Sequence, residues 1–172
     1  MQKVKPIDFG ARNPRNNLPV AVRAKQAEVR FQNAFLKIWA DLPKEHGVGG
    51  SQFELPNFGI ADYIWANALG QIDAFEFKLQ DWKSGLMQAM RYRGYARRSY
   101  LVVPSKISAK IASVIETIRL TNIGIYLFDP KKKEITLLLS PTESAPLNER
   151  AYNQALSILN RKRKFRQLCE EI

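Results

Sequence analysis

The chain has 172 residues but one cysteine, Cys169, and one histidine, His46. A lone cysteine forms no internal disulfide, and no second one is present to build a cysteine-type zinc site. A lone histidine removes multi-histidine zinc centres and weakens any Ser-His-Asp arrangement. Any metal must then be held by carboxylates and carbonyls, ligands that suit hard cations such as Mg²⁺ or Mn²⁺ and argue against zinc. Long apolar runs are missing as well. None approaches the length of a membrane span, and the opening MQKVKPIDFGARNPRNNLPV lacks the apolar stretch of a secretory signal. The expectation is a cytoplasmic protein with no membrane partner.

Negative charge is scarce too: 27 Lys and Arg stand against 16 Asp and Glu, a formal net charge of +11. Such an excess points to a polyanionic partner, of which nucleic acid is the commonest. What is present otherwise is ordinary for a globular chain, with 45% hydrophobic and 25% charged residues. The length suits one domain with a real core and leaves little room for a second.

Residues 1–20 are rich in proline and asparagine, with Lys3, Lys5, Arg12 and Arg15, and read as an irregular basic arm; 21–172 read as a single domain. Ala27, Phe31, Ala34, Phe35, Ile38 and Leu42 recur at helical spacing over about 22–40, and Pro43 ends that helix. HGVGGS reads as a glycine-rich turn, without the Lys-Ser/Thr pair of a phosphate-binding loop. Two short strands come next over 51–58 and 60–66, broken at Gly59, then a turn from Asn67 to Gly70. QIDAFEFKLQ (71–80) alternates, with Phe75, Phe77 and Leu79 on one face and Glu76, Lys78 and Gln80 on the other. The remaining pattern is a helix over 82–98, a buried strand SYLVVP, a helix over 106–121, a hairpin from IGIYLFD to EITLLLS, and a helix over about 147–168. That last helix carries the basic run RKRKFR (161–166). The order predicts an α/β fold with a mixed central β-sheet flanked by helices, a C-terminal β-hairpin and a basic helix.

Glu76 and Lys78 share one face of a strand whose other face is apolar, and charges so placed need partners or a task. A hairpin between 60–66 and 71–80 brings Asp62 close to Glu76. Two adjacent carboxylates repel each other, and a divalent cation between them turns that cost into a binding site. Glu28, beside the apolar stripe of the first helix, is a further candidate carboxylate.

The stretch GIADYIWANALGQIDAFEFKLQDW resembles the signature of the PD-(D/E)xK nucleases: an Asp, a strand hairpin, then Glu-x-Lys. Gln88 and Tyr92 in QAMRY resemble the Q-x-x-x-Y motif of the RecB-like branch, and SYLVVP falls where that core has an apolar strand. Ala61 stands where the nominal proline would be. The resemblance covers about 25–104. It implies a restriction-endonuclease-like core and a Mg²⁺-dependent (or Mn²⁺-dependent) enzyme that hydrolyses DNA with metal-activated water. It implies Asp62, Glu76 and the Phe77 carbonyl as metal ligands, with Glu28 sometimes completing the set. Lys78 would be the catalytic lysine, and Gln88 and Tyr92 would support the site or contact the DNA backbone. Gln80, on the same strand face, is a candidate supporting residue. Lys83, Arg91, Arg93, Arg97 and Arg98, on or just after the second helix, are candidates for holding DNA. A homodimeric resolvase of branched DNA, and a non-catalytic nucleic-acid-binding module with the same fold, are the alternatives.

Overall fold

The computed structural model describes residues 19–42 and 47–170, with side chains described through Arg161. His46, the Cys169 side chain, the basic run after Arg161 and all but the last two residues of the N-terminal arm lie outside the described residues.

One six-stranded sheet, in the order β1-β2-β3-β4-β5-β6, organises the chain. The strands are β1 (Gly47–Leu55), β2 (Gly59–Asn67), β3 (Ile72–Phe77), β4 (Arg98–Pro104), β5 (Gly124–Asp129) and β6 (Glu134–Leu139). β1, β2 and β3 run antiparallel, β3, β4 and β5 run parallel, and β5 and β6 close as an antiparallel hairpin. The fold is therefore α/β with a mixed sheet flanked by helices, as its order of elements predicts.

Helix α1 (Val20–Asp41) covers one face. Its stripe of Phe31, Phe35 and Trp39 packs on Phe75, Phe77, Tyr100, Val102 and Phe128. Phe35 is fully buried, with ring centroids 5.3 Å from Phe77 and 5.6 Å from Phe128. Burying such a ring is worth about 1.5–3 kcal/mol, and each aromatic pair adds about 0.5–1.5 kcal/mol. Helices α2 (Trp82–Tyr92), α3 (Ser108–Ala112), α4 (Ile115–Leu120) and α5 (Glu149–Glu170) contribute to the apolar clusters on the other face. No described helix is long and apolar enough to cross a membrane.

Four expectations need correction. Gly47–Gly50 are not a turn but the start of β1, paired with Ile64–Asn67. A Cβ at Gly47 or Gly49 would collide with the rings of Trp65 or Tyr63, so these glycines let the aromatics lie across the edge strand. The helix expected over 82–98 stops at Tyr92. Gly94 sits against the Phe58 ring with no room for a Cβ, and Arg98 already belongs to β4. The helix expected over 106–121 is split into a 3-10 turn (Ser105–Ile107), α3 and α4. The Ser113 hydroxyl donates to the Lys110 carbonyl at 2.9 Å and competes with the helical ladder there. Finally, β3 ends at Phe77, so Gln80 lies in an exposed bend rather than on the Glu76–Lys78 face.

Candidate active site

The turn that precedes β3 sets the register on which the site depends. The Asn67 side-chain oxygen accepts from the N–H groups of Leu69 and Gln71 at 3.1 and 2.9 Å, and Gly70 takes φ of +77°. This tight connection fixes the pairs Tyr63↔Phe75 and Ile64↔Ala74. The ladder ends at Tyr63↔Phe75, and its register carried one step further sets Asp62 beside Glu76 on one face.

Asp62 is held from three sides. Its Oδ2 accepts the Phe77 N–H at 2.9 Å, its Oδ1 accepts from Gln52 Nε2 at 3.2 Å, and its backbone oxygen accepts from Gln32 Nε2 at 2.8 Å. In an extended strand the N–H and C=O of one residue leave the same edge. The Phe77 carbonyl is thus directed to the side on which Asp62 lies.

Glu76 is 1% exposed. Its Oε1 lies 2.9 Å from Lys78 Nζ and its Oε2 lies 2.7 Å from the Tyr92 hydroxyl. That hydroxyl is also 2.7 Å from the Ile60 carbonyl oxygen. Burial pushes the Glu76 carboxyl above its usual range and the Asp62 charge adds to the rise, against the hydrogen bonds from Tyr92 and Lys78. The Tyr92 hydroxyl donates to Glu76 Oε2 and lies equally close to the Ile60 carbonyl, so its one proton faces two acceptors. For Lys78, burial works against the charged form. The hydrogen bond to Glu76 and the charges of Glu76, Glu28 and Asp62 outweigh it, so the ammonium is held charged. Burial and the Glu76 charge likewise hold the Tyr92 phenol protonated.

Lys78 reaches Glu76 past helix α2 at a point where the helix has no side chain. A Cβ on Gly85 would lie 2.5 Å from Lys78 Cγ and 2.7 Å from Leu101 Cδ1. The helix starts there because the Asp81 carboxylate accepts the Ser84 N–H, a standard N-cap.

An open pocket of about 490 Å³ adjoins these groups, lined among others by Lys25, Glu28, Gln32, Asp62, Phe77 and Lys78. Two neighbouring carboxylates with a strand-end carbonyl beside them are the oxygen ligands a hard divalent cation takes, while the Lys78 ammonium offsets part of their charge. Glu28 lines the same pocket, yet its Oε1 accepts from the Leu79 N–H at 3.4 Å. Among the described residues no three His, Cys, Asp or Glu side chains converge as a ligand group, and Glu28 lies in the pocket with Asp62 and Lys78.

Asp62, Glu76, Lys78 and Tyr92 are therefore brought together, with Phe77 between them. Gln88, one turn before Tyr92, keeps a buried side-chain oxygen without a hydrogen-bond partner among the described residues. Gln80 is not part of the group. Lys83 is exposed on the first turn of α2, its ammonium 5.7 Å from the Trp82 ring centroid, and Arg91 is exposed near Gly59.

The other three arginines are not at the site. Arg98 makes a bidentate pair with Asp73 at 2.8 and 2.8 Å, Arg97 pairs with Glu143, and Arg93 donates to the Thr121 carbonyl at 3.1 Å. The parallel register pairs Arg98 with Asp73 and Val102 with Phe77. The Arg98 pair is then about 13 Å from the Phe77 end of β3 at ~3.3 Å per residue. It also lies on the opposite face from Glu76.

Gln32 and Gln52 also belong to the site, and sequence reasoning misses both. Gln32 is 6% exposed and sits one turn after Glu28 on the face of α1 turned to the site. A polar residue beside Phe31 inside an apolar stripe is its only signal. Gln52 lies opposite Asp62 in β1 with φ of +52°, outside the regular ladder, and nothing in its sequence context announces that conformation.

No family model matches the sequence, and no curated protein does. Among solved structures, a protein of unknown function from Silicibacter pomeroyi superposes with a TM-score of 0.50 at 14% identity, covering 86% of this chain and 85% of that one. A likeness at that identity speaks to the arrangement of elements alone.

Proposed function

We propose that the chain is a divalent-cation-dependent nuclease with a restriction-endonuclease-like core, and that DNA is its substrate. The observation that carries this reading is the approach of Asp62 to β3, where its Oδ2 accepts the Phe77 N–H at 2.9 Å next to Glu76, with Lys78 Nζ 2.9 Å from Glu76 and with Asp62 and Lys78 on the wall of an open pocket. Asp62, Glu76 and the Phe77 carbonyl would hold Mg²⁺ or Mn²⁺. When bound, that ion withdraws charge from a phosphate and lowers the pKa of a water.

The protein's own groups account for the rest. Lys78 presents a fixed positive charge where the phosphoryl oxygens gather charge in the transition state. Tyr92 holds one oxygen of Glu76 and leaves the other toward Lys78. Gln32, Gln52 and the Phe77 N–H hold Asp62 in one orientation, so little reorganisation is needed on binding. The +11 charge favours a polyanion, and Lys83 and Arg91, both exposed on α2, are the cations of that helix free to meet it.

The test is incubation with supercoiled plasmid, single strands and a four-way junction, each with Mg²⁺, Mn²⁺ or EDTA. Cleavage that needs metal and falls at least ~10²-fold in Glu76→Ala and Lys78→Ala proteins that still melt cooperatively supports the proposal. Metal-independent cleavage, or full activity in either variant, refutes it. Preference for the junction would favour the resolvase form of the same chemistry.

A further inference from the structure

A second cavity, of about 430 Å³, opens at the C-terminal ends of the parallel strands. Its walls include Leu79 just after β3, Pro104 and Lys106 after β4, and Phe128 and Lys131 at the end of β5, with Phe31 of α1 beneath. It adjoins the candidate active site, because Lys78 lines one cavity and Leu79 the other, and Glu28 and Phe31 are one turn apart on α1. Its floor is apolar and its rim is cationic.

Lys106 and Lys131 are exposed and make no ion pair among the described residues, and Lys132 and Lys133 come next in the same turn. The one carboxylate in the lining, Asp129, is occupied within the turn, where its Oδ1 accepts the N–H groups of Lys131 and Lys132 at 2.9 and 3.2 Å. The arginines at the other end of the sheet are tied to Asp73 and Glu143. Two exposed lysines therefore give this cleft a cationic rim beside the site.

We propose that this cleft seats one nucleic-acid strand next to the scissile phosphate, with an unstacked base against Leu79 and its neighbours and the flanking phosphates on Lys106 and Lys131. The proposal rests on the nuclease reading for the position of the scissile bond. An apolar floor between lysines matches the two faces of a single strand, which offers bases for stacking and phosphates for charge. A duplex keeps its base faces stacked inside and would leave the apolar floor unfilled.

The test is binding of a short fluorescein-labelled single-stranded oligodeoxynucleotide in EDTA, followed by anisotropy over a range of salt. The proteins are the wild type, Lys106→Glu/Lys131→Glu, and the control Lys37→Glu/Arg150→Glu, which changes the same charge at exposed positions elsewhere. Loss of two phosphate contacts should lower the slope of log affinity against log salt by about 1.4 and weaken binding about tenfold at ~0.15 M salt. The control should show neither change. Protection of Lys106 and Lys131, but not Lys37, from acetylation by the bound oligonucleotide would support the same conclusion.

Equal behaviour of the two double variants overturns the cleft, and metal-dependent cleavage by the same proteins would leave the active-site reading standing. A wild type that binds through these lysines but cuts no substrate with any metal overturns the nuclease reading and leaves the cleft. Absence of any strand binding overturns the cleft outright.

Discussion

Gly85→Ala isolates the link between helix α2 and the lysine of the site. The new methyl carbon would lie 2.5 Å from Lys78 Cγ, 3.5 Å from Lys78 Cβ and 2.7 Å from Leu101 Cδ1. Carbon atoms pack comfortably at about 3.5–4.0 Å, so the Lys78 stem must retreat by about 1 Å or more. Leu101 is fully buried and has little freedom to yield, which directs the displacement onto the lysine. Overpacking costs about 1–3 kcal/mol, and replacing glycine by alanine inside a helix returns close to 1 kcal/mol. The net loss of stability is then small, about 0–2 kcal/mol. The 2.9 Å contact between Lys78 and Glu76 does not survive such a shift. A misplacement of ~1 Å at a catalytic group costs on the order of 10²-fold in rate. Urea denaturation and plasmid cleavage, measured on one preparation, separate the two effects. The expected result is a protein that folds almost as well and cuts ~10²-fold more slowly. A Gly85→Ala protein with wild-type cleavage and unchanged metal response would refute the account, because Lys78 would then be free to act from a different position.

Two further outcomes arise from charges inside the fold. Glu76 has its carboxyl raised by burial, so the metal-free folded state keeps a proton that the unfolded chain gives up above the ordinary value of 4.5. Stability should therefore fall as pH rises from 4.5 to the folded-state value, by at most ~1.4 kcal/mol per pH unit, and level off above it. Glu76→Gln should lack that slope in EDTA and gain on the wild type as pH rises; a wild type that gains on the variant instead has the opposite shift. Arg98→Ala leaves the Asp73 carboxylate buried without its bidentate partner. The cost should be about 2 kcal/mol in urea denaturation, below the ~3–5 kcal/mol of a fully buried pair because the Arg98 side chain is 38% exposed. Cleavage per folded molecule should not change, and a specific loss of activity would place Arg98 in the site after all.

What could be read from the sequence was what depends on local period and short connections. The alternation of QIDAFEFKLQ and the Asn67–Gly70 turn together determine that Asp62 meets Glu76, because a tight hairpin converts sequence spacing directly into register. The stripe on α1 and the apolar run of β4 were equally plain, since burial on a helix face or on both sheet faces leaves a periodic or continuous pattern. Two of the misreadings depend on contacts between distant segments. Glycines at 47 and 49 look like a turn until Tyr63 and Trp65 are known to need the space.

The arginines show the same limit at the candidate site. On a helix continued to residue 98, Arg91 and Arg98 would share a basic flank beside Gln88. The helix instead ends at Tyr92, for Gly94 must clear Phe58 and the Arg97 N–H is claimed by the Ile72 carbonyl at 2.8 Å. That single early stop commits Arg98 to the start of β4, where it neutralises Asp73 at the far end of the sheet. Part of the exposed positive charge near Lys78 then comes from the loops after β4 and β5, whose lysines lie 28 and 53 positions further along the chain. Only a parallel β3-β4-β5 arrangement, in which all three strands end on the same side, brings Lys106 and Lys131 to that edge. Residue spacing carries no direct sign of such a gathering, because the crossover connections that produce it have no fixed length.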